Sequence, residues 1–229
     1  MSLGHGASIV RNGLVLHLDA ANKKSYPGTG TVWNDLSGNG SNATLYNNPT
    51  YSPDNNGNII FDPTNDYSEI PTCPIKSGDF TVEIFFKPND VTNNRNIIYA
   101  PTETFGTLRI YRNAPSTVVG TYRWLFYYET TTLTVGATGS YMSGYNAGEW
   151  AHSAMVLNST GTMRSYMNGN YQFTNTPTGF SRWLYPNSYI NVGYVAADAA
   201  IGSFKMYNRA LSAQEIQQNF DALRGRYGI

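Results

Sequence analysis

Apolar and polar positions alternate along most of this chain. The cleanest run is Asp79 to Lys87, where Phe80, Val82, Ile84 and Phe86 fall on one face. A period of two predicts a strand with one buried face, and Pro88, which has no N–H for a ladder, ends it. The same pattern predicts strands at 14–18, 43–46, 59–61, 67–70, 97–100, 105–112, 122–129, 133–136, 149–157, 189–194 and 202–207. Residues 163–170 and 171–173 read as a hairpin, because Asn168-Gly169 accepts the positive φ angles of a type I′ turn. Residues 33–42, 49–58 and 179–187 read as loops. The period changes only after Arg209. There Ser212 and Glu215 have the spacing of a capping box, and Ile216, Phe220 and Leu223 share one helical face. About a dozen short strands and one closing helix predict an all-β, two-sheet antiparallel sandwich. No linker or repeat divides the chain, so residues 1–229 read as one domain, with 1–12 as an extended N-terminal arm.

Composition sharpens this picture. Charged residues make up 13% of the 229, against about 25% in an average soluble domain. Asn, Gly, Thr and Tyr take their place, as suits strands joined by many turns. Fifteen basic residues balance fifteen acidic ones, which gives no electrostatic reason to expect nucleic acid as a partner. No apolar run approaches the roughly 20 residues of a membrane span, and Met1-Ser-Leu-Gly-His-Gly lacks the pattern of a signal peptide. The single Cys73 excludes an internal disulfide.

Several blocks in order resemble laminin-G-like, concanavalin A-like jelly-roll domains. They are Leu14-Val-Leu-His-Leu-Asp, Trp33-Asn-Asp-Leu-Ser-Gly-Asn-Gly, Phe61-Asp-Pro-Thr-Asn-Asp-Tyr, Asp79-Phe-Thr-Val-Glu-Ile-Phe-Phe-Lys-Pro, Glu149-Trp-Ala-His, Tyr166-Met-Asn-Gly and Gly202 to Ile216. Gly4 to Gly13 and Arg224-Gly-Arg-Tyr-Gly-Ile resemble a narrower set, the laminin-G-like structural proteins of tailed bacteriophages. Two positions depart from the family pattern. His17 stands where an aromatic is usual, and Pro63 replaces a turn glycine, which demands another turn type. The resemblance implies a jelly roll with a short C-terminal helix. It further implies a non-enzymatic virion component, sited on the phage particle surface beside other capsid or tail proteins. Such assemblies are symmetric, which allows a homo-oligomer. The alternative is a free-standing carbohydrate-binding module or a degenerate glycoside hydrolase.

Catalysis finds no support in the residues. Glycoside hydrolysis needs two carboxylates about 5–10 Å apart, and the nearest candidates on one strand face, Asp79 and Glu83, would lie roughly 13 Å apart. His5, His17 and His152 are the three histidines, and none accompanies a nucleophile elbow. His152 and Trp150 should share a strand face, where His152 reads as a packed histidine. Cys73 has no nearby helix N-terminus to activate it and reads as inert. The expectation is a protein that is not an enzyme.

Binding chemistry is better represented. Asp35, Ser37 and Asn39 offer a carboxylate, a hydroxyl and an amide to a structural Ca2+, which takes about six to eight oxygens. A tight turn whose side chains bond their own backbone is the competing reading. Asp62, Asn65 and Asp66 form a second such turn. For glycans, which need aromatic faces beside hydrogen-bonding groups, the candidates are Trp183 and Tyr185 with Arg182 and Asn187, and Trp124 with Tyr127. The same aromatics would also serve a protein interface.

Overall fold

The structure is a computed structural model that describes residues 7–75, 78–91, 95–101, 107–112, 122–129, 135–142, 145–176, 189–194 and 197–229. The strands are β1 (Leu14–Asp19), β2 (Val32–Trp33), β3 (Ala43–Tyr46), β4 (Thr50–Ser52), β5 (Asn58–Phe61), β6 (Tyr67–Ile70), β7 (Phe80–Pro88) and β8 (Arg95–Pro101). They continue with β9 (Thr107–Arg112), β10 (Tyr122–Glu129), β11 (Val135–Met142), β12 (Ala151–Leu157), β13 (Met163–Met167), β14 (Asn170–Asn175), β15 (Ile190–Val192) and β16 (Ala199–Tyr207). The helix α1 spans Ala213–Tyr227.

Two antiparallel sheets form the sandwich. The first runs β14-β13-β12-β7-β16-β5-β4, with β1 also paired to β16, and the second runs β11-β10-β9-β8-β15-β6-β3-β2. The core between them holds Phe80, Val82, Ile84 and Phe86, the predicted apolar face of β7, together with Phe204, Met206, Leu16 and Leu18. Facing them from the second sheet are Ile98, Ile110, Ile190 and Val192. The two-sheet sandwich with a C-terminal helix is the expected fold.

The differences are local. The predicted loop 49–58 contains β4, whose Thr-Tyr-Ser has no apolar alternation. It pairs through its backbone along β5 at the sheet edge, Thr50 opposite Ile60 and Ser52 opposite Asn58. β11 reaches Met142, well past the predicted end at Gly136. Its two Gly and its Ala have little strand preference, yet every residue pairs along β10 from Tyr122 to Glu129. Neighbour hydrogen bonds build the strand without apolar alternation in β4 and against the low propensity of Gly and Ala in β11. The Asn168-Gly169 turn has φ of 49° and 77°, as a type I′ turn requires.

Helix α1 packs on the outer face of the first sheet. Ser212 Oγ accepts from the Glu215 N–H, and the Glu215 carboxylate accepts from the Ser212 N–H, which completes the predicted capping box. Ile216, Phe220, Leu223 and Tyr227 are buried against Phe85, Trp150, Tyr166 and Tyr207. Val10 of the N-terminal segment joins the same layer.

Candidate functional site

The two outer faces have opposite characters. On the first sheet, Thr81, Glu83 and Phe85 point away from the core and are sealed by α1 and the N-terminal segment. Glu83 lies opposite Lys205 and Lys205 opposite His17, so a polar row crosses β7, β16 and β1 beneath the helix. Glu83 and Lys205 are fully buried, with Nζ 3.5 Å from Oε2. Burial pushes the Glu83 carboxyl up and the Lys205 amine down, and each partner's charge only partly offsets this. His152, fully buried on Phe85 and Phe220, is held well below its usual pKa by burial and then by Lys205, so its imidazole is neutral. Trp150 lies in the same layer as His152, on the shared face the alternation predicts. His17, likewise buried, is lowered to about 4 by burial and then by Lys205.

The outer face of the second sheet carries aromatics instead. By register, Thr44, Glu69, Asn191, Tyr99 and Arg109 form one row across β3, β6, β15, β8 and β9. Tyr46 and Tyr67, opposite one another on β3 and β6, stack with ring centroids 4.7 Å apart. Tyr99 stacks on Tyr194 at 4.5 Å and approaches Tyr189 at 6.3 Å. The Arg109 guanidinium lies 5.5 Å from the Tyr99 ring centre, a cation–π distance. Tyr46 and Tyr189 are each 38% exposed, although large apolar rings are ordinarily buried. This arrangement exists because β-strands alternate: Ile70, Ile190, Ile98 and Ile110 fill the core, and the intervening positions must face outward.

At the turn that follows β3 lies a cavity of about 340 Å3 lined by Gly30, Thr31, Leu45, Asn47, Asn48 and Asn65 among others. Asn47 and Asn48 hold φ of 65° and 79°, and Asn47 Nδ2 donates to the Asn65 carbonyl at 2.8 Å. Three asparagines thus line a cleft at the β3–β4 turn, one residue along the chain from the stacked Tyr46. Aromatic rings bind the C–H faces of a sugar and amides bind its hydroxyls, so the chemistry suits a small carbohydrate.

The predicted site residues fall in three places. Trp183, Tyr185, Arg182 and Asn187 lie outside the described residues. Trp124 and Tyr127 lie on β10 of the second sheet, where Trp124 pairs with Ile110 and Tyr127 with Thr107. Asp35, Ser37 and Asn39 do come together. Asp35 Oδ1 accepts from the His17 and Ser37 N–H groups at 2.9 and 2.8 Å, and Oδ2 from Ser37 Oγ and the Ser41 N–H at 2.7 and 3.2 Å. Three of these four bonds come from the loop itself and one from β1, and a Ca2+ ion at Asp35 would compete with them for the same oxygens. Asp62 likewise accepts from the N–H groups of Thr64, Asn65 and Asp66, which lower its pKa. Among the described residues, no group of three or more His, Cys, Asp or Glu side chains is placed to hold a metal ion. Cys73 is buried, donates to the Ile75 carbonyl at 3.3 Å and is pushed up to about 11 by burial, as suits an inert thiol.

The sequence reading missed the tyrosine face. Tyr46, Tyr67 and Tyr99 lie on β3, β6 and β8 and Tyr189 directly precedes β15, and only pairing across the sheet brings them together. A usable signal was present, since each is a large aromatic on the polar side of an alternating strand.

Comparison with known proteins agrees with the architecture. Residues 62–217 match the family model Laminin_G_3, described as the concanavalin A-like lectin/glucanases superfamily. A search of curated proteins returns no match. Among solved structures, domain 4 of AbnA, a GH43 extracellular arabinanase from Geobacillus stearothermophilus, in complex with arabinotriose, superposes with a TM-score of 0.69. The pair is 16% identical, and the match covers 91% of this chain and 98% of that domain. The binding domain of botulinum neurotoxin DC in complex with SialylT superposes with a TM-score of 0.68 at 14% identity, covering 93% of this chain and 52% of the other. The binding domain of Paraclostridial Mosquitocidal Protein 1 gives 0.68 at 14% identity, covering 92% and 52%. This chain therefore spans about half the length of these toxin domains and nearly all of the arabinanase domain. At such identities the structural likeness is one of fold. With more than half of its length matched by the family model, the chain belongs to the concanavalin A-like lectin/glucanases superfamily.

Proposed function

We propose that this chain is a non-catalytic, glycan-binding β-sandwich carried on the surface of a tailed-phage particle. The observation that carries the binding role is the aromatic face of the second sheet, with the Tyr46–Tyr67 stack, Tyr99 and Arg109. The arabinotriose and SialylT complexes of proteins with this fold are consistent with it. In favour of a non-catalytic role, Glu83, the internal carboxylate of the cleanest strand, is sealed under α1 and cannot reach a sugar. The phage assignment rests on the two chain ends that resemble phage structural proteins. A free-standing carbohydrate-binding module is the second reading, favoured by the 98% coverage of a single arabinanase domain.

A glycan array on the purified chain, followed by calorimetry with the best oligosaccharide, tests the binding role. Binding that is weakened about tenfold by Tyr67→Ala and by Tyr99→Ala is expected. An array with no ligand, or hydrolysis of a bound polysaccharide, would overturn the reading. Mass spectrometry of purified virions separates the two settings, since a free-standing module would be absent from the particle.

A further inference from the structure

Beneath α1, three groups that react with one another meet in a space closed to water. Glu83 on β7, Lys205 on β16 and Asn219 on α1 are each 0% exposed. Lys205 Nζ lies 3.5 Å from Glu83 Oε2, and Asn219 Nδ2 donates to that same oxygen at 2.9 Å. The amine and the carboxamide therefore meet on one carboxylate oxygen. The other end of the carboxamide is also held, with Asn219 Oδ1 accepting from the Val10 N–H at 2.7 Å. Nδ2 makes a second hydrogen bond, to Tyr207 Oη at 3.0 Å. The Phe85 ring closes the space, its centre 5.4 Å from Nζ. Lys205 Nζ makes no close, well-aligned hydrogen bond, its Glu83 partner lying 3.5 Å away. A buried ammonium without hydrogen bonds is poorly compensated, whereas a neutral amine in the same place is tolerated and nucleophilic.

We propose that Lys205 and Asn219 are joined by an intramolecular amide bond that forms within the folded chain, with Glu83 carrying the proton. The neutral Nζ attacks Asn219 Cγ, the Nζ–Cγ bond forms, and the carbonyl electron pair moves onto Oδ1. The Val10 N–H, already directed at Oδ1, stabilises that oxyanion. The Glu83 carboxyl, kept neutral by burial, gives its proton to the departing Nδ2 and takes up the proton released by Nζ, so it ends as it began. The Cγ–Nδ2 bond then breaks and ammonia leaves. An amine and a primary amide have become a secondary amide and ammonia, with no oxidant or reductant required. Burial supplies the protonation states, since it lowers the Lys205 pKa and raises that of Glu83. Holding both partners on one oxygen replaces a slow bimolecular amide exchange by an intramolecular one. The product would tie the closing strand to the helix that seals the first sheet.

The test weighs the full chain intact under denaturing conditions and then digests it with trypsin. Loss of ammonia removes about 17 Da. It also protects Lys205 from cleavage, so the peptide Trp183–Arg209 should appear joined to Ala210–Arg224. The expected result is near-complete linkage in the wild-type chain. Lys205→Arg, which is of similar length but cannot form the amide, should be unlinked, and Glu83→Gln should be folded but largely unlinked. A wild-type chain cut at Lys205, with the Asn219 peptide at its plain mass, overturns the proposal without recourse to any variant. Linkage in Glu83→Gln as complete as in the wild type overturns the role of Glu83. Neither result bears on glycan binding at the opposite sheet, so the two readings fail separately.

Discussion

Replacing Gly202 by alanine tests how tightly α1 is seated on the first sheet. Gly202 lies in β16 at the irregularity between Ile201 and Ser203, and its carbonyl accepts from the Ala20 N–H at 2.9 Å. A methyl group there would fall 2.6 Å from Cε1 and 2.7 Å from Cζ of Tyr227, and closer still to the hydroxyl. Tyr227 cannot swing aside cheaply. It is 4% exposed, with its ring 4.8 Å from that of Phe85 and 4.5 Å from that of Trp150. Forcing extra volume into such packing costs about 1–3 kcal/mol. Expelling the ring altogether approaches the cost of deleting a buried aromatic, about 3–5 kcal/mol. We expect Gly202→Ala to destabilise by about 3 kcal/mol. At about 2–4 °C per kcal/mol for a domain of this size, the melting temperature falls by roughly 6–12 °C. Urea unfolding followed by tryptophan fluorescence supplies the free energies. The decisive measurement is a double-mutant cycle with Tyr227→Ala, which opens the space the methyl needs. In that background Gly202→Ala should cost under about 1 kcal/mol, a coupling of about 2 kcal/mol. Equal costs in both backgrounds would refute the argument, because the penalty would then arise from the β16 backbone and not from the helix.

Other outcomes follow from the same structure. On the aromatic face, Tyr67→Ala and Tyr99→Ala should each weaken oligosaccharide binding about tenfold in calorimetry, and unchanged affinity would remove this face from consideration. Asp35→Ala leaves the N–H groups of His17, Ser37 and Ser41 without their acceptor and should cost about 2 kcal/mol in urea unfolding. EDTA should leave the wild-type melting temperature unchanged, and a chelator-sensitive melt would favour Ca2+ at that loop. The Glu215 carboxyl is held down at about 2, first by Arg209 and then by the Ser212 N–H, with both charged side chains a little over a quarter exposed. A carboxylate with a lowered pKa stabilises the fold above its ordinary value near 4.5 and loses that stability as pH falls through about 2. After allowance for solvent screening the contribution is about 1–2 kcal/mol. Melting curves taken from neutral pH to below pH 3 should therefore fall less steeply for Glu215→Gln than for the wild type.

What could be read from the chain was whatever short-range chemistry decides. The period-two run of β7 and the Asn168-Gly169 turn act over a few residues, and both stand where the pattern placed them. So does the Ser212–Glu215 cap, which needs only the first turn of its own helix. Failures came where pairing replaced the apolar pattern, as in β4 and β11, whose residues form strands because a neighbouring strand offers its hydrogen bonds. The Asp35 loop was ambiguous for a related reason. The same oxygens suit an ion or a backbone N–H, and only the His17 N–H, 18 residues away in sequence, shows how Oδ1 is engaged.

The amino-acid order alone determined that this would be an antiparallel sandwich closed by a capped helix, because side-chain alternation and capping are properties of neighbours along the chain. Tertiary structure decided which sheet face would be free. Helix α1 covers Glu83, Lys205 and His152, and leaves Tyr46, Tyr67, Tyr99 and Tyr189 on the other side of the molecule. It also gathered Glu83, Lys205 and Asn219, from two strands and a helix, into one enclosed contact. Such meetings depend on strand order and helix docking, which bring together residues that share no local pattern.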